Sequence, residues 1–177
     1  MTLLPALAID CSTRNLGWAA SGPDFDRPVY GLIVLPGMSK LPALYAAVRN
    51  SLSDLVEQYT PAAIAWCRPK FGAGQTTEEA LNGVAAIAYL ICHDYGVRPM
   101  PETESHVRKI VLGKGNFGLR DENGREIKGS GTPRAKAAAL AWCAKNGTPT
   151  DSDDVADALV LFEYMQRQFA ARERRAA

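Results

Sequence analysis

Asp10 ends an otherwise apolar run, Leu7-Ala8-Ile9-Asp10, and is followed by Cys11-Ser12-Thr13-Arg14-Asn15-Leu16-Gly17-Trp18. Near the other end, Asp153-Asp154-Val155-Ala156-Asp157-Ala158-Leu159 sets Asp154 and Asp157 three residues apart. On a helix that spacing puts both acids on one face. Like charges on one face repel, so a bound cation is a natural remedy. Carboxylate oxygens suit hard divalent ions such as Mg²⁺ or Mn²⁺. Two such ions, roughly 4 Å apart, can activate a water and stabilise the leaving oxygen of a phosphodiester. The pattern therefore points to metal-dependent phosphodiester hydrolysis, with Asp10, Asp154 and Asp157 as catalytic and metal-binding residues. Plainer roles are also open. Asp10 could cap a turn. Asp151, Asp153 and Asp154 could serve the start of a helix, and Asp151 and Asp153 are expected to do only that.

The elements that must carry these acids follow from the hydrophobic period. Residues 4–10 read as a buried strand, with further strands at 16–21 and 28–35. Ser12, Asn15, Gly22 and Pro23 form the turns between them, so an antiparallel meander is expected. Leu41, Leu44, Tyr45, Val48, Leu52, Leu55 and Val56 recur at helical spacing over 40–59. A buried fourth strand spans 62–67, a helix 76–95 and a short fifth strand 97–100, weakened by Pro99. A short basic helix spans 106–112. Residues 113–132 are rich in Gly, Asn, Lys, Arg and Asp, and read as an exposed basic loop or small hairpin turning at Asn123-Gly124. Helices at 133–145 and 151–169 complete the chain, and the tail 172–177 reads as frayed.

The chain reads as a single α/β domain of 177 residues. Its formal net charge is +1, which excludes a global basic field. Any nucleic-acid surface must come from local segregation of charge. Cys11, Cys67, Cys92 and Cys143 are far apart and form no zinc pattern, so they are expected to be reduced and structural. No signal-like N-terminus or membrane-spanning run is present. A cytoplasmic, intracellular protein without membrane partners is expected.

Three antiparallel strands followed by alternating helices and strands resemble the ribonuclease H-like fold: a mixed five-stranded sheet flanked by helices. Within it, Ile9-Asp10-x-Ser12 with Gly17-Trp18, the stretch Arg108 to Gly115, and Asp154-x-x-Asp157-Ala158-Leu159 resemble the RuvC-type Holliday junction resolvases, particularly their small phage-type relatives. The resemblance covers about residues 5–165. It implies a homodimer that nicks four-way or branched DNA symmetrically with Mg²⁺ or Mn²⁺, two ions per site, and leaves 5′-phosphates. Two-fold symmetry suits a junction that is itself roughly two-fold. Phage or prophage encoding is a further implication.

One departure matters. The family has a Glu at the end of the fourth strand, where this chain has Cys67. A thiol is a poor Mg²⁺ ligand. Either the site is crippled and the protein binds branched DNA without efficient cutting, or the residue is altered, or another acid (Glu78, Glu79, Glu102 or Glu104) substitutes. Phosphate contacts are expected from Arg68, Lys70, Arg108, Lys109, Lys114, Arg120 and Arg134. Phe71 is the candidate aromatic against unpaired bases, and Phe117 could sit in a groove. Lys136 is expected to approach the scissile phosphate, while His93 and His106 read as surface histidines. Sugar kinases and actin-like ATPases share a similar opening motif. They need two such domains and a second Gly-rich phosphate loop, which this chain lacks.

Overall fold

The computed structural model describes residues 3–12, 14–22, 25–37, 40–69, 74–125 and 127–176. Its centre is a mixed five-stranded sheet in the order β3-β2-β1-β4-β5. β1 (Ala6–Cys11), β2 (Asn15–Ser21) and β3 (Val29–Val34) form the expected antiparallel meander. α1 (Leu41–Tyr59) leads to β4 (Ala63–Cys67), which lies parallel to β1. α2 (Gln75–Asp94) leads to β5 (Arg98–Glu102), parallel to β4. α3 (Glu104–Leu112), α4 (Gly131–Lys145) and α5 (Asp153–Ala176) follow. This is the ribonuclease H-like arrangement.

β5 carries Pro99 and Pro101, yet it pairs well. Arg98 N–H donates to Ala62 O (3.2 Å), and Arg68 N–H donates to Glu102 O (2.8 Å). Positions 98, 100 and 102 therefore bond to β4, and the prolines fall where their missing N–H would face the open edge. That explains why the strand runs two residues further than its composition suggests.

Strand alternation gives the two sheet faces different characters. Leu7, Ile9, Leu16, Ile64 and Trp66 pack beneath α1 and α2. Ala6, Ala8, Ala19, Ala63 and Ala65 face the other way, among Val155, Leu159, Phe162 and Met165 of α5. Small residues on that face let α5 lie close to the sheet centre. Asp10 continues the Ala6–Ala8 row and Cys67 continues the Ala63–Ala65 row, so both belong to the α5 face.

The end of the last helix differs most from expectation. α5 continues through Ala176 instead of ending near residue 169. Just before this extension, Arg167 bonds Glu163 Oε1 (2.8 Å) and Ile110 O (2.8 Å), tying α5 to α3. The basic loop does form a small hairpin. Asp121 N donates to Arg125 O (2.8 Å), Ile127 N to Leu119 O (2.7 Å), and Gly124 at the tip has φ 76°. The four cysteines are free. Among the described residues, no helix is long and apolar enough to cross a membrane.

Candidate active site

Asp10 and the start of α5 meet because of one glycine. Gly17 is the cross-strand partner of Asp10. A Cβ built on Gly17 would lie 2.2 Å from Asp154 O and 2.7 Å from Val155 N. Only the absence of a side chain lets the first turn of α5 rest on β2 beside Asp10. The cap of α5 is Ser152, whose Oγ accepts from Val155 N (3.3 Å) and whose carbonyl accepts from Ala156 N (3.0 Å). Asp153, expected to serve only the helix start, instead pairs with Lys136. The exposed Asp151 makes neither of these cap bonds.

The β1–β2 turn contributes a residue that composition marks only as a turn former. Ser12 ties the turn, with Ser12 N bonding Asn15 O (2.9 Å) and Asn15 N bonding Ser12 Oγ (3.0 Å). The Asn15 amide then donates to Asp154 Oδ2 (3.0 Å). Asp154, 9% exposed, is thereby oriented beside the β1 terminus.

The charges do not balance within the acids alone. Asp10 has no hydrogen-bond partner among the described residues. Its pKa is pushed well above the carboxylate range by desolvation, then by Asp157, Asp154 and Glu104, with Arg108 pulling it down. Desolvation also raises Asp157, against the opposing pull of Arg108. Arg108 is 6% exposed. Its Nη2 donates to both oxygens of Asp157 (3.0 and 3.1 Å), and its Nη1 pairs with Glu104. The structure therefore corrects the expectation that Arg108 faces DNA: α5 packs over α3 and encloses it.

Cys67 stands at the expected place. Ile9 pairs with Trp66 and Cys67 with Glu102, so the thiol lies next to Asp10 in the sheet. Desolvation, and secondly the charge of Asp10, push its pKa well up. Cys11 is raised to about 12, again mainly by burial. Both thiols are neutral at physiological pH, which weakens them further as cation ligands.

Asp10, Cys67, Arg68 and Glu104 border a cavity of about 270 Å³ whose far wall is Leu81, Val84 and Ala88 of α2. It opens at the carboxyl ends of two parallel strands, the usual ligand position in such sheets. The donor types (Asp10, Asp154, Asp157 and Glu104) suit a hard divalent ion. Among the described residues, no three potential ligands converge on a single point. Asp154 is turned to Asn15, and Asp157 and Glu104 to Arg108.

The remaining expected site residues are spread around this centre. Lys136 sits on α4, and its pKa is raised by its bond to Asp153, with Asp154 and Asp157 adding to the effect. Arg68, Lys109, Lys114, Arg120 and Arg134 are exposed. Phe117 is half-buried under the Lys114 ammonium, 5.7 Å from its ring centroid. It lines a second cavity with Ser105, Arg108, Asn116 and Thr132, so it does not project as a free wedge. Lys70 and Phe71 lie outside the described residues. His93 is exposed beside Asp94, and His106 stacks edge-on against Tyr164 at 5.6 Å.

The sheet order and the covering helices define the ribonuclease H-like fold, and solved structures agree. The chain is similar to Thermus thermophilus RuvC, at 13% identity and TM-score 0.66 over 96% of both chains. It is equally similar to T. thermophilus RuvC in complex with Holliday junction substrate, at 11% identity and TM-score 0.67, again over 96% of both chains. No protein-family model and no curated protein sequence matches.

Proposed function

We propose that this chain is a structure-specific endonuclease that makes paired, metal-dependent nicks in four-way DNA junctions. The observation that carries the reading is the seating of the start of α5, with Asp154 and Asp157, beside Asp10 through the contact of α5 on Gly17. The shared fold with a RuvC seen on Holliday junction substrate supports the choice of branched DNA. The exposed cations Arg68, Lys109, Lys114, Arg120 and Arg134 supply phosphate contacts. Lys70 and Phe71, beyond β4, join them in this reading.

Asp10, Asp154 and Asp157 hold Mg²⁺ or Mn²⁺, two ions per site. What such ions contribute when bound is charge on the phosphoryl oxygens and a more acidic water. Asn15 fixes the direction of Asp154. Asp153 orients Lys136, whose ammonium stays protonated and lies in the field of both α5 acids. Leu81, Val84 and Ala88 of α2 give the cavity beside Asp10 an apolar wall. A homodimer supplies two such sites to a roughly two-fold substrate. Tyr89 and Leu90 of α2, 47% and 60% exposed, offer one apolar surface for a second copy.

A second reading is favoured by Cys67 alone: a branched-DNA-binding protein that cuts poorly. One comparison separates the two, using labelled four-way junction and linear duplex with the native chain and Cys67→Glu in Mg²⁺ and then Mn²⁺. Junction-selective cutting by the native chain is expected. Cutting by Cys67→Glu only would establish the second reading. If neither form prefers the junction, both readings fail.

A further inference from the structure

The end of β4 lacks its carboxylate, but the cavity beside it does not. Glu104 opens α3, two residues beyond β5, and borders the same cavity as Asp10 and Cys67. Its charge reaches both, adding to the upward shift of each. None of the other acids that could substitute borders this cavity. Glu102 accepts a hydrogen bond from Tyr164 Oη at 3.0 Å. Glu78 and Glu79 sit on the opening turns of α2 and do not border the cavity.

We propose that Glu104 replaces the missing strand carboxylate as a metal ligand, and that Arg108 is a resident counter-ion which a divalent ion must displace. The proposal rests on the nuclease reading and deepens it. Glu104 and Arg108 are one helical turn apart, so both project from the same face of α3. The guanidinium spans from Glu104 on α3 to Asp157 on α5, joining the acid absent from the pattern to one within it. It thus stands where positive charge is most needed. Its own needs are poorly met there: the buried Nε has no acceptor. Buried donors are rarely left so. The position of Arg108 is therefore set by the carboxylates and not by a complete hydrogen-bond set of its own.

Arg108 holds Glu104 and Asp157 toward itself, as Asn15 holds Asp154. With metal, the guanidinium has somewhere to go. Arg108 also borders the second cavity, among Ser105, Asn116 and Thr132, beside the basic loop. Its release there would present a cation near the DNA-facing surface at the moment the acids take up the ion.

The test is Mn²⁺ binding by titration calorimetry on the DNA-free full chain, using native protein, Glu104→Gln, Glu104→Asp, Cys67→Ser and Arg108→Gln. Melting curves in EDTA establish that each variant is folded. Glu104→Gln should weaken Mn²⁺ binding by at least about 10- to 100-fold, the range for losing a group that only supports a metal ligand. Glu104→Asp should fall between it and native. Cys67→Ser should match native, and Arg108→Gln should bind Mn²⁺ more tightly. Native affinity in Glu104→Gln, or weaker binding in Arg108→Gln, overturns the proposal. Should Glu104→Gln fail to fold, Glu104→Asp at native affinity overturns it equally. No Mn²⁺ binding by the native chain overturns both the proposal and the metal-nuclease reading. The expected ranking without cleavage of any DNA sustains Glu104 and removes the nuclease reading.

Discussion

Replacing Gly17 with alanine puts a methyl group where α5 already lies. The new Cβ would sit 2.2 Å from Asp154 O and 2.3 Å from Asp154 C, both backbone atoms that no rotamer change can move. Ordinary contact begins at 3.4 Å, so the helix or the strand must give by about 1 Å. Such overpacking costs about 1–3 kcal/mol. For a chain of this size each kcal/mol lowers Tm by roughly 2–4 °C. The functional cost is larger in proportion. The displaced turn carries Asp154, with Asp157 one turn behind, and a 1 Å misplacement of reacting groups can cost about 10²-fold in rate. Gly37→Ala is the control, because nothing lies within 4 Å of its Cβ. Melting in EDTA and junction cleavage in Mg²⁺ are measured on all three proteins. If Gly17→Ala melts and cuts like native, the close seating of α5 on β2 is not what assembles the site.

Three further outcomes are expected. In EDTA, Asp10→Asn should be more stable than native at neutral pH. The folded pKa of Asp10 lies above its unfolded value, so the native fold gains stability as pH falls from 7 toward the carboxylate range, and Asp10→Asn should lack that gain. Lys109→Ala with Lys114→Ala should weaken junction binding and lower the salt slope of its affinity by about 1–2, seen in titrations at several salt concentrations. Leu90→Glu should sediment as a monomer and lose the pairing of nicks; a dimer at native affinity would remove α2 from the interface.

The acids of β1 and α5 were legible because their setting is periodic. An acid at the end of an apolar strand and an i,i+3 pair beside small residues both announce a buried, charged face. The strand order followed from the same alternation. Arg108 and Glu104 were not legible as a pair at the site. The sequence offers Arg108 as a phosphate contact on a helix expected to begin at 106 and Glu104 as one of four substitute acids; only the start of α3 at Glu104 and the packing of α5 across α3 join them. Asn15 carried no signal beyond turn preference, since its role depends on a residue 139 positions away. Among Asp151, Ser152 and Asp153, composition favours the acids as caps. The path of the chain gives that role to Ser152 and leaves Asp153 for Lys136.

The central claim is that Asp10, Asp154 and Asp157 form a metal-dependent centre for cutting branched DNA. Its most direct test is to map cut positions on a four-way junction labelled on each strand in turn, with native protein and Asp10→Asn, in Mg²⁺ and in EDTA. The account predicts symmetric nicks on two opposed strands by the native protein in Mg²⁺ only, and none by Asp10→Asn. Cutting by Asp10→Asn at the native rate, or cutting in EDTA, would contradict it.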